Sequence, residues 1–78
     1  MRNTEREYRI MTLDDYRKMC GWSVTEMARK ANLDFNTLKK AMSGKMVSPR
    51  TARALALAIS SELGQTIRIQ DISDLHVK

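Results

Sequence analysis

Between Val24 and Ser43 the apolar residues fall in two helical rhythms separated by a short polar break. Val24, Met27, Ala28 and Ala31 repeat with the 3.6-residue period of one buried helix face, and Leu38, Ala41 and Met42 repeat it again, with Leu33 just ahead. Asn32, in the break, tolerates the left-handed backbone that stops a helix, and Asp34 is a good N-cap for the helix that follows. The small side chain of Ala28 lets the two helix backbones approach closely where they cross.

The same reading extends to both sides. Thr12 opens a helix as N-cap, with Asp14 and Asp15 on the favourable side of the helix dipole; Leu13, Tyr16 and Cys20, with Met19 nearby, form its inward face, and Gly21 stops it. Ser23-x-x-Glu26 has the spacing of a capping box, and Trp22 with Met27 that of a hydrophobic staple, which gives the lone Trp a structural job. A third helix spans Phe35 to Ser43 and ends at Gly44. Lys45-Met46-Val47 reads as a basic connection. Ser48-Pro49 starts a fourth helix that buries Ala52, Leu55, Ala56, Ile59 and Leu63, leaves Leu57 pointing elsewhere, and stops at Gly64.

The ends are less regular. Residues 1–11 carry mixed charge, with Tyr8 and Ile10 as strong apolar anchors, and read as a flexible N-terminal arm, with a short strand alternating at Tyr8 and Ile10 as the other reading. In residues 65–78, Thr66 to Ile69 alternates as a strand would, whereas Ile69, Ile72 and Leu75 have helical spacing. The reading is a short extended piece, then a helical turn near Gln70 to Leu75. Ile67, Ile69, Ile72 and Leu75 either cover the base of the bundle or form a dimer contact. These elements predict an all-α, compact four- to five-helix bundle over residues 12–64 with a short irregular C-terminal tail.

Composition narrows the function. Seventy-eight residues suffice for one small helical core, and four aromatic residues leave that core to Leu, Ile, Met and Ala. The single Cys20 has no disulfide partner and reads as a semi-buried thiol; no Cys/His cluster has metal-ligand spacing, so no metal or other cofactor is expected. No apolar run approaches the ~20 residues of a membrane span, and a reducing cytoplasm is the expected setting. The three glycines are isolated helix stops rather than a phosphate loop, and one Cys and one His far apart make no nucleophile pair, so no catalytic residue is expected.

Charge points toward a partner. From Arg29 to Arg53 there are seven basic residues against one acid, Asp34, a sum of +6 that exceeds the +5 of the whole chain. A basic zone of this kind suits a polyanion, and it coincides with the two-helix pattern.

That pattern resembles the helix-turn-helix of the Cro and phage-repressor type, the XRE family. The resemblance rests on Ala28 at the crossing, Asn32 where the family usually has Gly, Leu33 after it, and Leu38 and Ala41 on the inward side of the second helix. It covers roughly Leu13 to Leu63. It implies a lambda-repressor-like fold, sequence-specific binding of double-stranded DNA, and a role as a transcriptional regulator of phage, plasmid or other bacterial type. The helix 35–43 would be the recognition helix. Asn36 would pair with adenine, and Lys40 or Lys39 would donate to guanine. Phe35 stands where the family often has Gln; it either touches a thymine methyl or folds back as a packing residue. Val24 likewise replaces a phosphate-binding Gln, so that contact is lost or passes to Thr25. Ser43, Lys45, Arg50 and Arg53 would meet phosphates. A domain this small is expected to bind as a homodimer on two half-sites. Two rival readings stay open: an antitoxin-type helix-turn-helix protein that also binds a partner toxin, through Leu57 and the tail, and a protein-interaction module without DNA binding.

Overall fold

A computed structural model describes residues 11–78; of the N-terminal arm, residues 1–10 lie outside the described part. Four helices carry the architecture: α1 (Leu13–Cys20), α2 (Val24–Lys30), α3 (Phe35–Met42) and α4 (Pro49–Leu63). The all-helical bundle expected from the apolar rhythm is the observed one, with a minor strand pair added.

Each helix starts where its capping residue stands. Thr12 accepts from the Asp15 amide at 3.1 Å while the Asp15 carboxylate accepts from the Thr12 amide, and Ser23 and Glu26 repeat this box at α2. Ser48 accepts from the Thr51 amide, with Pro49 as the first helical residue of α4. Such caps satisfy amides that have no partner within their own helix. Asp34 also occupies an N-cap position, but its carboxylate makes no bond to the backbone; it accepts instead from the Thr37 hydroxyl at 2.8 Å.

One core binds all four helices. Leu13, Tyr16, Met27, Leu38, Leu55 and Ile59 are its largest fully buried side chains, with Trp22, Ala28, Ala41 and Ala52 packed into the same cluster. Met19, placed near the inward face of α1 by its apolar character, is 47% exposed. The helix is only two turns long, and Leu13 and Tyr16 already fill the stripe facing α4. Cys20 is half-buried; burial pushes its thiol up, with Glu62 adding to the effect. Asp14, on the same helix, is held below its usual range by hydrogen bonding to Arg17 and by Lys18.

The C-terminal segment differs most from expectation. The residues alternating at Thr66 to Ile69 form no strand. The Ile67 amide donates to the Ser60 hydroxyl of α4 at 2.8 Å, so the backbone bonds of this stretch go to a helix side chain rather than to a neighbouring strand. A 3-10 turn follows at Ile69–Asp71, shorter than the helical turn expected at 70–75. The chain then pairs twice with earlier segments. Met11 bridges Ile72, and β1 (Met46–Val47), expected as a plain connection, pairs in parallel with β2 (His76–Val77), Met46 opposite His76 and Val47 opposite Val77. Two-residue strands carry no periodicity, which is why neither was visible in the sequence.

These contacts bury Ile67, Ile72 and Leu75 in the common core. They also complete α1. The Asp74 carboxylate accepts from the Leu13 amide at 2.9 Å, and the Tyr16 hydroxyl donates to the Asp71 carbonyl at 3.1 Å. The tail therefore supplies part of the cap of a helix some sixty residues earlier in the chain.

Ser60 holds the start of this tail. Its hydroxyl donates to the Ala56 carbonyl at 2.7 Å and accepts from the Ile67 amide. Ser60→Ala leaves the part-buried Ile67 amide without its acceptor and is expected to lower unfolding free energy by about 1–2 kcal/mol; urea denaturation followed by circular dichroism measures it.

Candidate nucleic-acid interface

The site is built on the α2–turn–α3 unit. At the end of α2 the Leu33 amide donates to the Ala28 carbonyl at 2.8 Å and the Asn32 amide to the Arg29 carbonyl at 3.0 Å. This pair of bonds is the Schellman stop, and it needs a left-handed residue in the turn. Asn32 supplies it at φ 57°, the only non-glycine with positive φ among the described residues. The chain leaves in a fixed direction, and α3 begins at Phe35 with its inward stripe, Leu38 and Ala41, completely buried. Ala28 and Ala31 are both 5% exposed, so the α2 side of the crossing is lined by small buried side chains.

With Leu38 and Ala41 committed inward, the opposite face of α3 is set by helical geometry. Phe35, Asn36, Lys39 and Lys40 are all exposed, as are Ser43 after the helix and Lys45 before β1. Asn36, Lys39, Lys40, Ser43 and Lys45 together line one open surface depression. Five of the residues expected to meet bases or phosphate thus share one concavity. Phe35, the first residue of α3, Arg50 and Arg53, on the first turns of α4, and Thr25, on the first turn of α2, are exposed but do not line it. Ser43 has a local partner as well: its hydroxyl donates to the Lys40 carbonyl at 3.0 Å and helps end the helix.

The electrostatics of this surface are lopsided. Neither α3 nor α4 has an acidic residue in its first turn, whereas α1 has Asp14 and Asp15 and α2 has Glu26. Lys39, Lys40, Lys45, Arg50 and Arg53 make no ion pair among the described residues, whose salt bridges all lie on α1 and in the tail. Lys39 has an aromatic neighbour instead. Its ammonium sits 5.6 Å from the centre of the Phe35 ring, a cation–π contact of about 0.5–1 kcal/mol at an exposed site. Phe35 itself is 45% exposed, so the ring is not folded away into the core.

The tail also reaches β1. The Lys78 amide donates to the Val47 carbonyl at 2.9 Å, which sets Lys78 alongside β1 and close to the Ser48-Pro49 start of α4. Only the β1–β2 pairing brings it there. Among the described residues no group of His, Cys, Asp or Glu is arranged to hold a metal ion, and no helix is long and apolar enough to cross a membrane.

A helix-turn-helix family model matches residues 13–64, about two thirds of the chain, from the first residue of α1 to the glycine that stops α4. The chain belongs to the helix-turn-helix family of the Cro and phage-repressor (XRE) type, a family of DNA-binding regulators. No curated protein and no solved structure matches it.

The conformation at Asn32 is directly testable. Asn32→Val places a β-branched residue in the left-handed region and is expected to cost about 1–2 kcal/mol. Asn32→Gly is expected to stay within about 0.5 kcal/mol of the parent, because lower strain offsets a more flexible unfolded chain. Thermal melts of both variants separate a turn that requires positive φ from one that does not.

Proposed function

We propose that this domain binds duplex DNA sequence-specifically, with α3 in the major groove, and acts as a transcriptional regulator of the phage or bacterial repressor type. The observation that carries the reading is the shared concavity of Asn36, Lys39, Lys40, Ser43 and Lys45 on the exposed face of a family recognition helix. In this reading Asn36 pairs with the N6/N7 edge of adenine and Lys40 or Lys39 donates to guanine O6 and N7, each good pair contributing roughly 1–3 kcal/mol of discrimination. Phe35 also faces the base edges. Thr25, Ser43, Lys45, Arg50 and Arg53 hold phosphates on either side, fixing register without reading sequence.

One helix on one half-site is a small interface, so the domain is proposed to act as a homodimer on half-sites about one helical turn apart. Ile67, Ile72 and Leu75 of the tail are buried in the core, and the second copy is proposed to dock on α4. Leu57 is the most exposed large apolar side chain there, at 62%, and half-buried Ala54 and Ala58 beside it would let a second helix approach.

Selection of duplexes from a random pool at two salt concentrations tests the reading as a whole. A recovered palindromic motif supports it, and salt-sensitive retention with no motif counts against it. On the selected duplex, Lys40→Ala is expected to relax discrimination by about tenfold at one position of each half-site. Arg50→Ala is expected to weaken all sequences alike and reduce the salt slope by about one. Leu57→Glu is expected to shift the protein to monomer in sedimentation analysis and to abolish cooperative occupation of the two half-sites.

A further inference from the structure

Phe35 is out of keeping with its surroundings. It is the first residue of α3, it leaves nearly half of its surface in water, and Lys39, one helical turn on, shares its helix face. A phenyl ring contributes nothing to holding phosphates, and the core is complete without it. Its neighbour Asp34 does not explain it either, because that carboxylate is engaged by the Thr37 hydroxyl. The Lys39 ammonium lies 5.6 Å from the ring centre, which ties the ring to the cationic face.

The major groove contains a single kind of apolar group, the methyl carried at C5 of thymine; every other recognisable feature of its floor is a hydrogen-bond donor or acceptor. The N-terminal residues of a recognition helix are those that approach base edges. From this chemistry we infer that Phe35 is a specificity-determining residue that reads the C5-methyl group of a pyrimidine, with Lys39 held over the ring as the neighbouring donor to a purine. The group recognised is the methyl, not the thymine as such, so 5-methylcytosine at the same place satisfies the site and unmethylated cytosine does not. The methyl and the base met by Lys39 lie within two base pairs of each other. The ring centre and the ammonium are 5.6 Å apart, and successive pairs rise by about 3.4 Å.

The inference rests on the proposed docking of α3 in the major groove, and its test is separable from the test of that docking. Starting from the duplex recovered by selection, each thymine is replaced in turn by deoxyuridine, which lacks only the C5 methyl. Affinity is measured for the wild type, Phe35→Ala and Phe35→Leu. One thymine per half-site is expected to show a loss of about fourfold, and both together about fifteenfold, the effect of one buried carbon per contact. Phe35→Ala should bind thymine and deoxyuridine duplexes equally, and Phe35→Leu should keep part of the difference. At that position a duplex carrying 5-methylcytosine should bind more tightly than its unmethylated counterpart.

If the selected duplex binds well and no deoxyuridine matters, the methyl inference is wrong while the docking stands. A penalty that persists in Phe35→Ala assigns the methyl to another side chain and overturns the inference equally. If no duplex is selected at all, the docking fails and the inference falls with it. Circular dichroism of Phe35→Ala keeps a folding defect from passing as loss of binding.

Discussion

The left-handed turn at Asn32 is the constraint from which the outward face of α3 follows. Two backbone hydrogen bonds, from Leu33 to the Ala28 carbonyl and from Asn32 to the Arg29 carbonyl, end α2 and aim the chain into α3. Once that direction is set, burying Leu38 and Ala41 leaves no freedom in which residues face outward. The polar and cationic side chains of α3 are therefore displayed by default, as the complement of the stripe that the core demands. Small residues matter for the same reason. Ala28 and Ala31 line the α2 side of the crossing, and larger side chains there would push the backbones apart and rotate the displayed face.

The helical part of this fold was legible because its signals are local. Thr12, Ser23, Ser48 and the glycines after α1, α3 and α4 act on backbone groups within four or five residues of themselves, and all occupy the positions their chemistry suits. Asp34 shows where such reasoning thins. Its position was legible, but the choice between a backbone amide and the Thr37 hydroxyl is a competition between two nearby donors that spacing does not decide.

The tail was not legible for the converse reason. Ile67 and Ile69 alternate as in a strand, yet Ser60 captures the Ile67 amide, and the actual strand pairing involves residues 46–47 and 76–77, too short to carry a period. Asp74 capping α1 could not be inferred from any local pattern. The candidate site shares this division. The outward-facing residues of α3 follow from helical periodicity, whereas the arrival of Lys78 beside β1 depends on a pairing between segments thirty residues apart. Charge was the intermediate case, since the clustering of cations between Arg29 and Arg53 is visible in one dimension but its gathering around α3 requires the fold.

The hydrogen bond from Leu13 to Asp74 joins the first helix to nearly the last turn of the described chain, and this sets an order of events in folding. The stops and starts of α1 to α4 act locally, whereas residues 67–77 are held by contacts with distant segments. Until those residues dock, Ile59 and Tyr16 lack part of their cover, and α1 lacks one of its caps. A chain with its helices formed and its tail undocked leaves an open apolar base. Closure is a late, long-range event in a chain whose other contacts are mostly short-range, so it is the step expected to limit the folding rate.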